Sequence, residues 1–180
     1  MIMKVDELRA YIETEKSDTE LQMMLDAAES FIRSYTNNTF QNRNIRFVCA
    51  SDGVMLNGSS PYISAGDTIQ ITDSGVNDGL YMVKEYHATW LKVEPATYEL
   101  PRNVVTKIEY PPDVILGVVN LLRWDIEHRD KVGVASESIS RHSVTYFDMN
   151  GDNSSGGYPK SITGFLKPYM KARFGQGCKR

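Results

Sequence analysis

The sequence predicts an α+β protein, a small helical bundle with an inserted antiparallel β-barrel-like module. Apolar residues recur at three- and four-residue steps before residue 40 and again after residue 111, the period of amphipathic helices. Between those points, short stretches alternate apolar with polar residues and are divided by turn signals, the mark of half-buried strands. The expected division is a helical domain from residues 1–40 and 111–180 and a β-module from residues 41–110.

The first strong element is SDTELQMMLDAAESFIRSYTNNTF. Ser17 and Glu20 have the spacing of a capping box, which satisfies the free amides at a helix start. Leu21, Met24, Leu25, Ala28, Phe31, Ile32 and Tyr35 then share one face. Asn37 and Asn38 end the helix, since asparagine tolerates the left-handed C-terminal conformation. A shorter helix is expected before it, at Val5 to Glu15.

NIRFVCA, DTIQITD and VVTKIEYP read as strands, and GLYMVKEYHATWLKVE as a longer β-rich run bent near Tyr86 to Thr89. Ser51-Asp52-Gly53, Asn57-Gly58, Ala65-Gly66-Asp67 and Asn77-Asp78-Gly79 are turn signals. Five or six short strands in about 70 residues suit a small barrel or sandwich, and closure into a barrel hides the sheet edges.

Helix returns at PPDVILGVVNLLRWDIEHRDK. Pro112 and Asp113 suit a first helical turn. Ile115, Val118, Val119, Leu122 and Ile126 form an apolar face that Val114, Leu121 and Trp124 widen, so this is the expected central helix. A glycine-rich loop at residues 150–157 leads to a last helix, PKSITGFLKPYMKARFG. There Ile162, Phe165, Leu166, Tyr169, Met170 and Phe174 can share a side, and Pro168 must bend or restart the helix.

Composition narrows the function. The net charge is −3, from 20 basic and 23 acidic side chains, which argues against a protein that coats nucleic acid by neutralising phosphate. Cys49 and Cys178, the two cysteines, have no CxxC neighbour, so neither a zinc site nor a disulfide framework is expected. The N-terminus shows no apolar signal segment, and no apolar run is long enough to cross a membrane. Synthesis in the cytoplasm and no membrane partner are the corresponding expectations.

Chemistry-bearing residues are sparse. Nucleophilic catalysis would need Ser138 or Ser140 held against His142 and a third group to orient the base. GVASESISRHSVTY is too local to supply that geometry, so it reads as a polar arm and the protein as no enzyme. Asp148, Asn150 and Asp152 have the opening spacing of a calcium loop, but Asn153 and Pro159 stand where glycine and glutamate belong. His128 beside Asp125 and Glu127 reads as charge at a helix end rather than a metal site. Tyr81, Tyr86 and Trp90 could stack bases, although barrel core is the preferred reading. Lys167, Lys171, Arg173, Lys179 and Arg180 make the C-terminus locally cationic. No cofactor and no metal are expected.

The succession of GVASESISRHSVTY, a glycine-rich loop and GYPKSITGFLKPYMKARFG resembles the C-terminal half of phage head–tail connector proteins. These are the adaptor or head-completion proteins of long-tailed phages. The family's arm matches Ser136 to Tyr146, and its L-x-PY-like closing helix matches Leu166 to Tyr169. ELQMMLDAAESFIRSYTNNTF resembles the family's opening helix. The resemblance covers residues 17–40 and 111–175; the β-module departs from compact members, which have a short connection there.

The resemblance implies a structural virion protein at the neck, the head–tail interface. It implies a homo-oligomeric ring, dodecameric like the portal it sits beneath, with a stopper or tail-completion protein docked below. Double-stranded DNA would pass through the lumen without sequence-specific binding. Ser136, Glu137, Ser138, Ile139, Ser140, Arg141, His142, Ser143, Val144, Thr145 and Tyr146 would form the inter-subunit assembly arm. Phe165, Tyr169, Arg173 and Phe174 would dock on the portal. The rival reading is a nucleic-acid-binding module built on an OB-like β-barrel.

Overall fold

The structure is a computed structural model that describes residues 1–128, 136–139, 142–145, 154–155 and 157–172; for 136–139, 142–145 and 154–155 it describes the backbone pairing alone. The chain divides into two compact units. One holds Met1 and Thr39–Tyr110, the other Ile2–Asn38 and Pro111–Arg180. The class is α+β, with a closed six-stranded antiparallel barrel and four helices among the described residues.

The barrel consists of β1 (Gln41–Asp52), β2 (Met55–Asn57), β3 (Thr68–Thr72), β4 (Gly79–Tyr86), β5 (Leu91–Glu94) and β6 (Glu99–Ile108). Its cyclic order is β1-β2-β5-β4-β3-β6, with β6 returning to β1. Closure gives every strand two neighbours, although β1 meets β2 only through Ala50 and Ser51. An OB-fold is a five-stranded, partly open barrel; this one has six strands and is closed. Cys49, Leu56, Ile69, Ile71, Tyr81, Val83, Leu91, Val93 and Val105 fill the interior, with Ile63 reaching in from the β2–β3 connection. Burial pushes the Cys49 thiol up to about 11, so it behaves as a small apolar group.

β1 and β6 bring the barrel's first and last residues together, with Gln41 opposite Ile108. There the Glu109 amide donates to the Phe40 carbonyl at 2.9 Å, and the Phe40 and Tyr110 rings pack with centroids 4.8 Å apart. The β2–β3 connection and the β4–β5 turn lie at this same end. The β1–β2, β3–β4 and β5–β6 loops lie at the opposite end, because every neighbouring pair is antiparallel.

The helical unit is built from α1 (Val5–Arg9), α2 (Asp18–Thr36), α3 (Pro112–His128) and α4 (Lys160–Thr163), followed by a 3₁₀ turn over Gly164–Tyr169. α2 starts on the Ser17–Glu20 capping box and ends on Asn37 at φ 50°. α1 is shorter than expected, and the chain from Glu13 to Lys16 is not helical. Arg9 fixes that path by donating to Asp18 Oδ1 and to the Lys16 carbonyl at 2.9 Å. Leu21, Leu25 and Ile32 of α2 are buried, as are Val114, Val118, Val119, Leu121 and Leu122 of α3, so the α3 stripe lies nearer Val114 and Leu121 than the sequence suggested. Ile115 and Ile126 are only half-buried.

The last helix is the main correction. Among the described residues helical geometry ends at Tyr169: α4 gives way to the 3₁₀ turn, Pro168 lies inside it, and Met170 is extended. A proline ring blocks the α-helical bond four residues back. Leu166 is fully buried, while the Phe165 ring lies over Gly117 of α3, where an added Cβ would sit 2.4 Å from the ring. Gly117→Ala therefore overpacks this contact at roughly 1–3 kcal/mol, against a helix-propensity gain of about 1 kcal/mol. A lowered urea midpoint is expected, and Phe165→Leu in the same chain should recover part of it. A Gly117→Ala protein as stable as the parent would contradict the contact.

Candidate functional site

The residues of the expected arm contain a two-stranded antiparallel hairpin, β7 (Ser136–Ile139) with β8 (His142–Thr145). Ser136 lies opposite Thr145, Glu137 opposite Val144, Ser138 opposite Ser143 and Ile139 opposite His142. Among the described residues these strands pair only with each other. The sequence suggested a polar arm here but not this local pairing. Ser140, Arg141 and Tyr146 lie outside the described residues, as do the calcium-like positions Asp148, Asn150 and Asp152. The side chains of Ser138 and His142, the hydrolase candidates, are likewise outside the description.

The expected docking segment is stitched to the two long helices. The Tyr169 hydroxyl donates to Asp113, 2.7 Å from Oδ1 and 2.8 Å from Oδ2, in the first turn of α3. The Tyr169 carbonyl accepts from Asn38 Nδ2 at 3.1 Å, the Lys171 amide donates to the Thr36 carbonyl at 2.8 Å, and Asn37 Nδ2 donates to the Ala172 carbonyl at 2.9 Å. These bonds use carbonyls and side chains that the α2 terminus would otherwise leave to water. Phe165 and Tyr169 are half-buried in this packing, while Arg173 and Phe174 lie outside the described residues.

The remaining candidates separate. Tyr81 is barrel core, with its hydroxyl donating to the Asn77 carbonyl at 3.0 Å. Tyr86 is not core: it is 40% exposed at the last β4–β5 rung, opposite Leu91. Trp90 is half-buried and stacks on His87 with centroids 5.3 Å apart. These positions lie at the barrel mouth, where the wall no longer covers a large ring. His128 stacks on Trp124 at 5.8 Å, and Asp125 accepts the Tyr158 hydroxyl at 2.8 Å. Among the described residues no group of three potential ligands could hold a metal ion, and no helix is long and apolar enough to cross a membrane.

One cluster escaped the sequence reading. Asn77 and Asn103 are fully buried at the loop end of the barrel. Asn77 Nδ2 donates to Asn103 Oδ1 at 3.0 Å and to the Tyr98 carbonyl at 2.9 Å, and Asn77 Oδ1 accepts from the Tyr98 amide at 2.8 Å. Asn103 Nδ2 donates to Ser51 Oγ at 3.0 Å. The β3–β4 and β5–β6 loops are thereby locked to each other and to the adjoining ends of β1 and β6. In sequence, Asn77 belongs to an ordinary turn triplet, and nothing local marks its amide as buried.

The chain matches no protein-family model and no curated protein.

Hydrogen bonding to Asp113 pushes the Tyr169 hydroxyl above its ordinary range. The raised value means the bond's stabilisation is complete below about pH 10, the unfolded tyrosine value, and is lost as pH rises through the folded value. Tyr169→Phe should therefore be less stable than the parent at neutral pH, with the difference closing in alkali. A difference that persists unchanged in strong alkali would exclude the bond as its source.

Proposed function

We propose that this protein is a head–tail connector, an adaptor that assembles as a ring between a portal protein and a stopper or tail-completion protein. The observation that carries the reading is the β7–β8 hairpin within residues 136–146. A lone two-stranded hairpin is marginal in water and gains stability from a third strand. Its backbone pairs with nothing else among the described residues, which suits strand addition to or from a neighbouring subunit. Once a ring begins to close, each such contact acts at high effective concentration, so a modest pairwise affinity suffices.

The rest of the proposal follows the sequence resemblance. The subunits line a DNA exit channel at the virion neck, with dodecameric symmetry taken from the portal. The net charge of −3 suits a channel that lets duplex DNA pass without gripping its phosphates. The docking surface is the exposed remainder of Phe165 and Tyr169 together with Arg173 and Phe174. Aromatic residues and arginine are the side chains that most often dominate interface energy. Catalysis, a cofactor and a metal have no part in this mechanism.

Electron microscopy of the purified protein mixed with the portal protein of the same genome tests the reading directly. An added ring of density beneath the portal is the expected result; free portal beside free monomer would refute it. Deleting residues 136–146 should leave the circular dichroism of the helices and barrel intact and abolish the ring. In a pull-down, Arg173→Ala with Phe174→Ala should weaken portal capture by about tenfold or more, and unchanged capture would move the docking surface elsewhere.

A further inference from the structure

We infer that the loop end of the barrel is a docking surface for a protein partner, with Val54, Val76 and Tyr98 as its apolar centre and Asp52, Asp73, Asp78 and Glu99 as an acidic rim. The matching surface on the partner is an apolar side chain or short segment surrounded by lysine or arginine. This inference stands apart from the connector reading and concerns the β-module, which that resemblance does not cover.

Val54 is 56% exposed, Val76 61% and Tyr98 69%. Each comes from a different loop: β1–β2, β3–β4 and β5–β6. Hydrogen bonds place the three loops side by side. The Thr97 amide donates to the Gly53 carbonyl at 3.1 Å, which sets the β5–β6 loop beside the residue before Val54. The amide of Asn77, next to Val76, grips both the carbonyl and the amide of Tyr98. Single exposed apolar residues need no explanation, but these three sit on loops joined by hydrogen bonds at one end of the barrel, and apolar residues gathered in this way mark interaction sites. This end also carries neither of the barrel's two chain connections, so nothing within the barrel covers it.

The loops are held rigid, which lowers the entropy lost on binding. Asn77 and Asn103 are fully buried beneath the patch. The fold also keeps the Thr97 hydroxyl buried with no hydrogen-bond partner among the described residues, a cost borne within the same loop.

Charge decides the kind of partner. Asp52, Asp73, Asp78 and Glu99 are exposed, and the loops from 52–54, 73–78 and 95–99 contain no lysine or arginine. Arg102 follows within β6, and the nearby Glu94 is already paired with Lys84. Hydrogen bonds from the Met55 and Val54 amides hold the Asp52 carboxyl below its ordinary range, and those from the Ser74 hydroxyl and amide do the same for Asp78. Both therefore remain ionised at any physiological pH. Such a rim repels nucleic-acid phosphates and anionic lipid. A second copy placed face to face would set like charges against each other. A basic protein surface meets both the charge and the apolar centre.

The test is selection of a displayed random-peptide library against the full chain, with counter-selection against the Val54→Ser/Val76→Ser/Tyr98→Ser variant. Enriched peptides should place lysine or arginine around an aromatic or aliphatic residue. They should bind the parent at least about tenfold more tightly than the variant, and weaken clearly between about 50 and about 500 mM salt. Asp73→Asn/Glu99→Gln removes charge without touching the apolar centre and should reproduce the salt effect; it serves as the counter-selection if the triple change lowers the unfolding midpoint. Enrichment of acidic or uncharged peptides, equal binding to the variants, or no enrichment overturns the proposal. So does tighter binding of anionic vesicles or duplex DNA, or self-association that the variants abolish.

Discussion

The pairing of β1 with β6 is the constraint on which the barrel depends. It closes the sheet, and it also returns the chain to its starting point, with Gln41 opposite Ile108 and Phe40 packed on Tyr110. A module whose ends meet can interrupt a chain between two helices without stretching either connection. The same ladder tolerates irregularity, with register shifts between Asn42 and Arg46 and between Cys49 and Ser51. Bulges of this kind bend a long strand around a narrow barrel.

Closure gives the barrel two unlike ends. At one, the chain connections, the buried Ile63 and the half-buried Trp90 gather. At the other, a buried amide network takes the place of apolar filling. Buried amides are favourable only when their partners are in place, and here Asn77, Asn103, Ser51 and the Tyr98 backbone supply them. Two loops are locked by this network and the third by the bond from Thr97 to Gly53, which frees Val54, Val76 and Tyr98 for a role other than holding the fold.

The helical unit uses its last described residues in a similar way. The 3₁₀ turn seats Leu166 and Phe165 against the core, and the extended residues after it bond to the C-terminal end of α2. In the connector reading, the segment proposed to meet the portal is thus already anchored to both long helices. In the same reading, the β7–β8 hairpin, which pairs with no other strand among the described residues, is the element proposed to bond a neighbouring subunit.

The sequence by itself determined the α+β class, the barrel and both long helices, because these rest on local signals. The Ser17–Glu20 box, the Asn37 cap, the period of α3 and the strand alternation each act over a few residues. Only the tertiary structure decided the rest. The end of the last helix depended on Pro168 together with a bond from Lys171 to Thr36, far away in sequence. Tyr81 became core while Tyr86 and Trp90 did not, because burial depends on depth within a closed barrel as well as on residue type. The Asn77–Asn103 network and the loop patch above it were invisible for the same reason. Their partners lie on different strands and loops, and no local pattern records which turns meet.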